Sequence, residues 1–141
     1  MGAVSASGIW RTVGPRLDYY VYQGPSYVNL NATMQTIMTS ASLPPGEYEV
    51  SANLVFQSVT GFSTPVQVTA QISSPAGAIE NGWGVFPSFS TGTWYVTVAV
   101  RATVILTSAG TINLNGQCSN GSGLTACPSF SDTSMSIIRI K

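Results

Sequence analysis

The sequence has no histidine, and that absence removes more chemistry than any other feature of the composition. Ser-His-Asp and Cys-His catalysis need an imidazole base, and the commonest zinc ligand is the same side chain. Charge is the second scarcity. Asp, Glu, Lys and Arg make up 7% of the residues, where about a quarter is usual. Five basic and five acidic residues cancel, which leaves no electrostatic footprint for DNA, RNA or anionic lipid. Neither a nucleic-acid nor a membrane partner is expected. The two cysteines, Cys118 and Cys127, miss the C-x-x-C spacing and lack a histidine to complete a metal site. They are read either as two thiols or as a disulfide closing a Gly- and Ser-rich loop, worth about 2–3 kcal/mol in the chain-entropy picture. No apolar run approaches a membrane span, and the N-terminal stretch has neither the basic start nor the apolar segment of a signal peptide. Export by the ordinary route is therefore not expected. No segment keeps a helical period, and no cofactor is implied.

What is present is strand periodicity on an uncharged polar background. The clearest stretch runs from Leu43 to Phe56, where Tyr48, Val50, Ala52, Leu54 and Phe56 share one face and Glu47, Glu49, Ser51 and Asn53 the other. Pro44, Pro45 and Gly46 punctuate its start. Alternation also places Val28, Leu30, Ala32 and Met34 inward before it. Val66, Val68, Ala70 and Ile72 follow, in a strand expected to pair with its predecessor. The longest extended run, Trp94 to Thr107, turns Val96, Val98, Val100, Ala102, Val104 and Leu106 to one face. Its length predicts a bend or a crossing between sheets near Arg101. Between these strands, residues 73–92 read as a long irregular loop rich in aromatics. Ile112 and Leu114 point inward in a later short strand, and SMSIIRIK closes the chain as another. The reading is an all-β, antiparallel two-sheet sandwich of about eight strands, the count of a jelly roll. It occupies residues 18–141, behind an N-terminal arm of residues 1–17.

Few residues suggest a site. Glu47 and Glu49 stand roughly 7 Å apart along one strand face, a spacing that inverting glycosidases use. Catalytic carboxylates, however, usually come from different elements at a cleft floor, so the chain is expected not to be an enzyme. Arg101 interrupts a strongly apolar strand. It is read as a subunit-interface residue, bridging to Glu47 or Glu49 of its own sheet or a neighbour's, with Ile137 and Arg139 of the last strand nearby; solvent exposure is the alternative. Ile9, Trp10 and Arg11 are the candidate anchors of the arm. Trp83, Phe86, Phe89 and Trp94 form a candidate glycan-binding loop, with Asn81 and Ser90 as hydrogen-bonding partners; the alternative is that these rings plug the end of the sandwich.

The run from Leu43 through Ser51, the passage from Val104-Ile105-Leu106 through Ala109-Gly110-Thr111 to Ile112-Asn113-Leu114, and the closing Phe130-Ser131 before a final strand carry a resemblance. Together they resemble the tumour-necrosis-factor-like jelly rolls, found in complement-type globular heads and in virion proteins of tailed phages. The resemblance covers roughly residues 18–141 and implies a homotrimer. The chain lacks the collagen-like stalk and charged loops of the animal proteins, which directs the expectation to a phage particle. The expected role is a non-enzymatic capsid decoration (cement) protein located in the virion, with capsid or tail proteins as partners. The second expectation is the receptor-binding head of a tail fibre that recognises a host surface glycan.

Overall fold

The computed structural model describes residues 19–23, 28–59, 61–119, 124–126 and 133–141. The expected arm with Ile9, Trp10 and Arg11 lies outside them, as does Cys127. Among the described residues there are ten strands and no helix: β1 (Tyr19–Gln23), β2 (Val28–Asn29), β3 (Gln35–Thr39), β4 (Gly46–Ser58), β5 (Val66–Ser74), β6 (Gly77–Phe86), β7 (Trp94–Leu106), β8 (Asn113–Cys118), β9 (Leu124–Ala126) and β10 (Ser134–Arg139). They form two antiparallel sheets. The first is four strands wide at each end, β1-β10-β4-β7 at one and β2-β9-β4-β7 at the other, because β10 and β9 share one edge of β4. The backbone N–H of Val55, at the gap between those two pairings, donates to Thr133 Oγ1 at 3.1 Å. The second sheet runs β3-β8-β5-β6.

The core is made by the inward halves of the alternating strands. Tyr48, Val50, Leu54 and Phe56 of β4 face Val66, Val68, Ala70 and Ile72 of β5, with Val98, Val100 and Val104 of β7 and Ile112, Leu114, Met135 and Ile137 completing it. Tyr48 is fully buried, yet its hydroxyl is satisfied, donating to the Pro44 carbonyl at 2.6 Å. That bond fixes the Pro-Pro-Gly turn onto the strand it opens. On the other side of the turn, Leu43 and Gly110 exchange backbone hydrogen bonds at 2.8 and 3.0 Å, which ties the entry of β4 to the segment between β7 and β8.

Four details depart from the expectations. First, β7 keeps its pairing through Arg101 and does not change sheet there. Its thirteen residues pair with all thirteen of β4 in one register, from Gly46↔Leu106 to Ser58↔Trp94, so a partner of equal length supports it throughout. Second, β5 does not pair with β4, whose two edges are taken by β10/β9 and by β7. It lies in the other sheet between β6 and β8. Third, the alternation after Val28 breaks at residues 32–33, where the chain bends and the Thr33 N–H donates to Asn31 Oδ1 at 2.7 Å. Ala32 is therefore exposed.

Fourth, most of residues 73–92 is not a loop. Pro75 and Ala76 make a tight turn into β6, helped by Gly77 at φ +116°, a conformation open to glycine at little cost. The strand escaped sequence reading because its inward positions carry Gly82 and Gly84 instead of large apolar residues. Both glycines have a packing reason. A Cβ on Gly82 would stand 2.8 Å from the Ala99 carbonyl oxygen, and one on Gly84 would stand 2.7 Å from Val96 Cγ1. β6 thus lies directly against β7 and closes one side of the sandwich. Gly82→Ala is expected to destabilise the fold by about 1–3 kcal/mol, since the obstructing atom is backbone and cannot rotate away. A urea unfolding curve that does not shift its midpoint would show that the two strands can part freely.

Candidate interaction surfaces

Three surfaces gather the residues singled out by sequence. The first is the outer face of the β1-β10-β4-β7 sheet. Register places Tyr19, Ile138, Glu49 and Thr103 in one row, and Val21, Ser136, Ser51 and Arg101 in the next. Tyr19, Val21 and Ile105 are exposed large side chains on this face, which also carries Glu47, Glu49 and Arg101, while Tyr95 lies at the β2-β9-β4-β7 end. Arg101 is exposed at the β7 edge of its row, and no carboxylate among the described residues pairs with it. Glu49 accepts instead from Thr103 Oγ1 at 2.5 Å, and Glu47 pairs with Lys141 Nζ at 3.3 Å. Each glutamate therefore has its own partner and the two share no cleft. In the Glu47–Lys141 pair the lysine is largely solvated and the glutamate mostly covered, and the pair contributes about 1 kcal/mol. Arg139 donates to the carbonyls of Pro45 and Lys141, securing the chain end against the Pro-Pro-Gly turn. Ile137 is enclosed in the core of its own chain. The outward neighbour at that place is Ile138, half-buried beside Tyr19.

The second surface is the end of the sandwich where the β4–β5 and β6–β7 connections meet. Phe62 and Phe89 exchange backbone hydrogen bonds at 2.8 and 3.0 Å, and their rings meet edge to face with centroids 5.6 Å apart. Phe86 lies 6.1 Å from Phe62, and Trp94 lies 5.4 Å from Phe89. Phe86 is fully buried, Phe89 half-buried and Trp94 exposed, so three of the four expected glycan-loop rings belong to one aromatic cluster with Trp94 at its surface. Phe62, which the sequence did not single out, is the ring that joins them. An open depression of about 590 Å³ remains beside this cluster, lined by Gly61, Phe62, Ser63, Ser88, Phe89 and Ser90.

Trp83 is not part of that cluster. It lies on β6 opposite Thr69, on the outer face of the second sheet, and is 65% exposed. This face carries a hydrogen-bonded row of amides. Asn115 donates to Gln71 Oε1 at 3.0 Å and to Ser73 Oγ at 2.9 Å, and Gln71 donates to Asn81 Oδ1 at 3.0 Å. Sequence reading found Trp83 and Asn81 but not Thr69, Gln71, Asn115 or Gln117, which join them only through strand pairing.

No group of three or more metal-ligating side chains occurs among the described residues. Cys118 is buried in the core on β8, opposite Val68 of β5; the disulfide reading pairs it with Cys127, which lies outside the described residues.

Comparison with solved structures shows which fold this is. The Eiger TNF of S. frugiperda matches with a TM-score of 0.60 at 6% identity, over 89% of this chain and 93% of that one. Murine APRIL matches at 0.59 and 9% identity, over 89% of this chain and all of the other. The VP2 protein of infectious bursal disease virus matches at 0.54 and 13% identity over 99% of this chain, which spans 36% of that viral chain. No protein-family model and no curated protein matches the sequence. The chain therefore has a TNF-like jelly-roll fold, one that also occurs within a viral particle protein.

Proposed function

We propose that the chain is a non-enzymatic structural protein of a virion, most specifically a homotrimeric capsid decoration protein of a tailed phage. The observation that carries this reading is the outer face of the β1-β10-β4-β7 sheet. It exposes Tyr19, Val21 and Ile105, and of its charged groups Glu47 and Glu49 are engaged within the chain while Arg101 has no carboxylate partner among the described residues. An exposed surface of that character is stabilised by being covered, and a second and third copy of the chain are the proposed covers. Arg101 then meets a carboxylate of a neighbouring subunit, where a planar guanidinium is well suited to bidentate pairing. The scarcity of charge elsewhere fits a protein packed against a shell. VP2, which forms T=1 particles, lends the reading an example of the same fold in a capsid.

In this reading the segment 1–17, with Ile9, Trp10 and Arg11, anchors the protein to the particle. Deleting residues 2–17, or replacing Trp10 with Ala, is expected to abolish co-sedimentation with capsids while the circular dichroism spectrum stays unchanged. Undiminished capsid binding by both variants would remove the arm from the account. The second reading, a receptor-binding head of a tail fibre that recognises a host saccharide, is favoured by the exposed indole of Trp83. It is distinguished by host-cell adsorption, which Trp83→Ala then reduces without altering particle stability.

A further inference from the structure

The geometry points to a binding site for a neutral saccharide on the outer face of the second sheet, centred on Trp83, Thr69 and Gln117. Strand pairing sets these three side by side, Trp83 opposite Thr69 and Thr69 opposite Gln117. The next row holds Val85 opposite Gln67, with Ser119 beside Gln67 through two hydrogen bonds, Ser119 N–H to the Gln67 carbonyl at 2.9 Å and Gln67 N–H to Ser119 Oγ at 3.1 Å. Gln67, Thr69, Gln117 and Ser119 line a depression of about 180 Å³. The site is thus a polar depression with the exposed indole of Trp83 on the neighbouring edge strand, opposite Thr69.

Its chemistry selects the ligand class. Among β3, β5, β6 and β8 the only charged residue is Glu80, so the face offers nothing to neutralise an anionic or cationic ligand. Amides and hydroxyls each present a donor and an acceptor, and that matches sugar hydroxyls, which do both. An exposed indole supplies a flat apolar surface on which the C–H face of a sugar ring can lie, with a polar rim around it. Trp83 and Gln117 stand two strand spacings apart, roughly 10 Å, enough for a ring on the indole and its neighbour across the floor. A protein partner is the poorer fit. Trp83 and Val85 are the only large exposed apolar side chains in these two rows, too few for the desolvated centre of a protein interface.

The surroundings are also held in place before any ligand arrives. Gln117 Nε2 donates to the Ala32 carbonyl, and the Asn115–Gln71–Asn81 row fixes the amides that continue the floor. Gly82 and Gly84, on either side of Trp83, seat its strand against β7. A rigid floor loses less freedom on binding, which favours recognition by otherwise weak contacts.

This site goes beyond the structural role and does not depend on it, since the two sheets' outer faces point in opposite directions. The test uses the full chain labelled with ¹⁵N and neutral oligomers of glucose, mannose, galactose and N-acetylglucosamine at millimolar concentration. The three tryptophans give three indole N–H signals, and the signal missing in Trp83→Phe belongs to Trp83. At least one oligomer is expected to shift that signal. Trp83→Ala is expected to weaken binding about tenfold or more, Gln67→Ala to weaken it less, and Trp94→Ala to leave it unchanged. No shift of the Trp83 signal with any oligomer, or equal binding by Trp83→Ala and Gln67→Ala, would each overturn the site. Host-cell adsorption is read separately. Binding in solution with adsorption unaffected by Trp83→Ala would remove the receptor role and leave the site standing.

Discussion

Phe56→Ala is expected to destabilise the fold by about 3–5 kcal/mol, the range for truncating a fully buried aromatic ring. Phe56 is completely enclosed, on the inward face of β4. At that point β4 is paired on both sides, Phe56 standing opposite Val96 of β7 and Ala126 of β9. A void there cannot close by a local shift, because both flanking strands are themselves fixed in register. For a domain of this size, about 3–5 kcal/mol lowers the melting temperature by roughly 10 °C or more. The contrast is Asn53→Ala, three residues earlier on the outward face and exposed, which is expected to stay within about 0.5 kcal/mol of the parent. Thermal melts of the two variants together measure how far the alternation of β4 governs stability. Equal melting temperatures would contradict the assignment of its inward face.

Ala99→Arg is expected to have the largest effect on self-association while leaving the subunit folded. Ala99 is exposed on the outer face of β7, opposite Asn53 and two residues from Arg101. A second guanidinium there costs the free subunit little. Covered by a neighbour, the same charge is buried without a partner, and an uncompensated buried charge costs about 3–5 kcal/mol. Dissociation of the proposed trimer is therefore expected to become easier by about 100-fold or more. Because Asn53 lies directly across from position 99, adding Asn53→Glu supplies a cross-strand partner and is expected to restore part of the affinity. Sedimentation velocity over a concentration series reads both variants. Association unchanged by Ala99→Arg would place the interface on another face.

The strands that sequence made legible are those with an unbroken run of apolar side chains at inward positions. Every second residue is apolar from Tyr48 to Phe56 in β4, from Val66 to Ile72 in β5 and from Val96 to Leu106 in β7, and period two needs nothing more. β6 was hidden because its inward sites are Gly82 and Gly84, chosen for the closeness of β7, a fact of tertiary packing that leaves no periodic trace. The last strand was found but its facing was not. Ile137 and Ile138 are adjacent and equally apolar, and only the register with Val50 and Glu49 turns the first inward and the second outward. The candidate surfaces divide in the same way. Arg101 was conspicuous as a lone charge in an apolar run. The amide floor was not, since Gln117, Thr69 and Trp83 come from three strands and become neighbours only through pairing. The resemblance to TNF-like jelly rolls gave the order of the elements, but it could not assign single side chains to an outer face.

The measurement that bears most directly on the structural role is the native mass of the purified chain, by light scattering coupled to size exclusion. The account predicts three times the 14.8 kDa chain mass, persisting on dilution through the micromolar range. A single-chain mass at every concentration tested would contradict it, leaving the outer face of the β1-β10-β4-β7 sheet without the partner that its composition was argued to require.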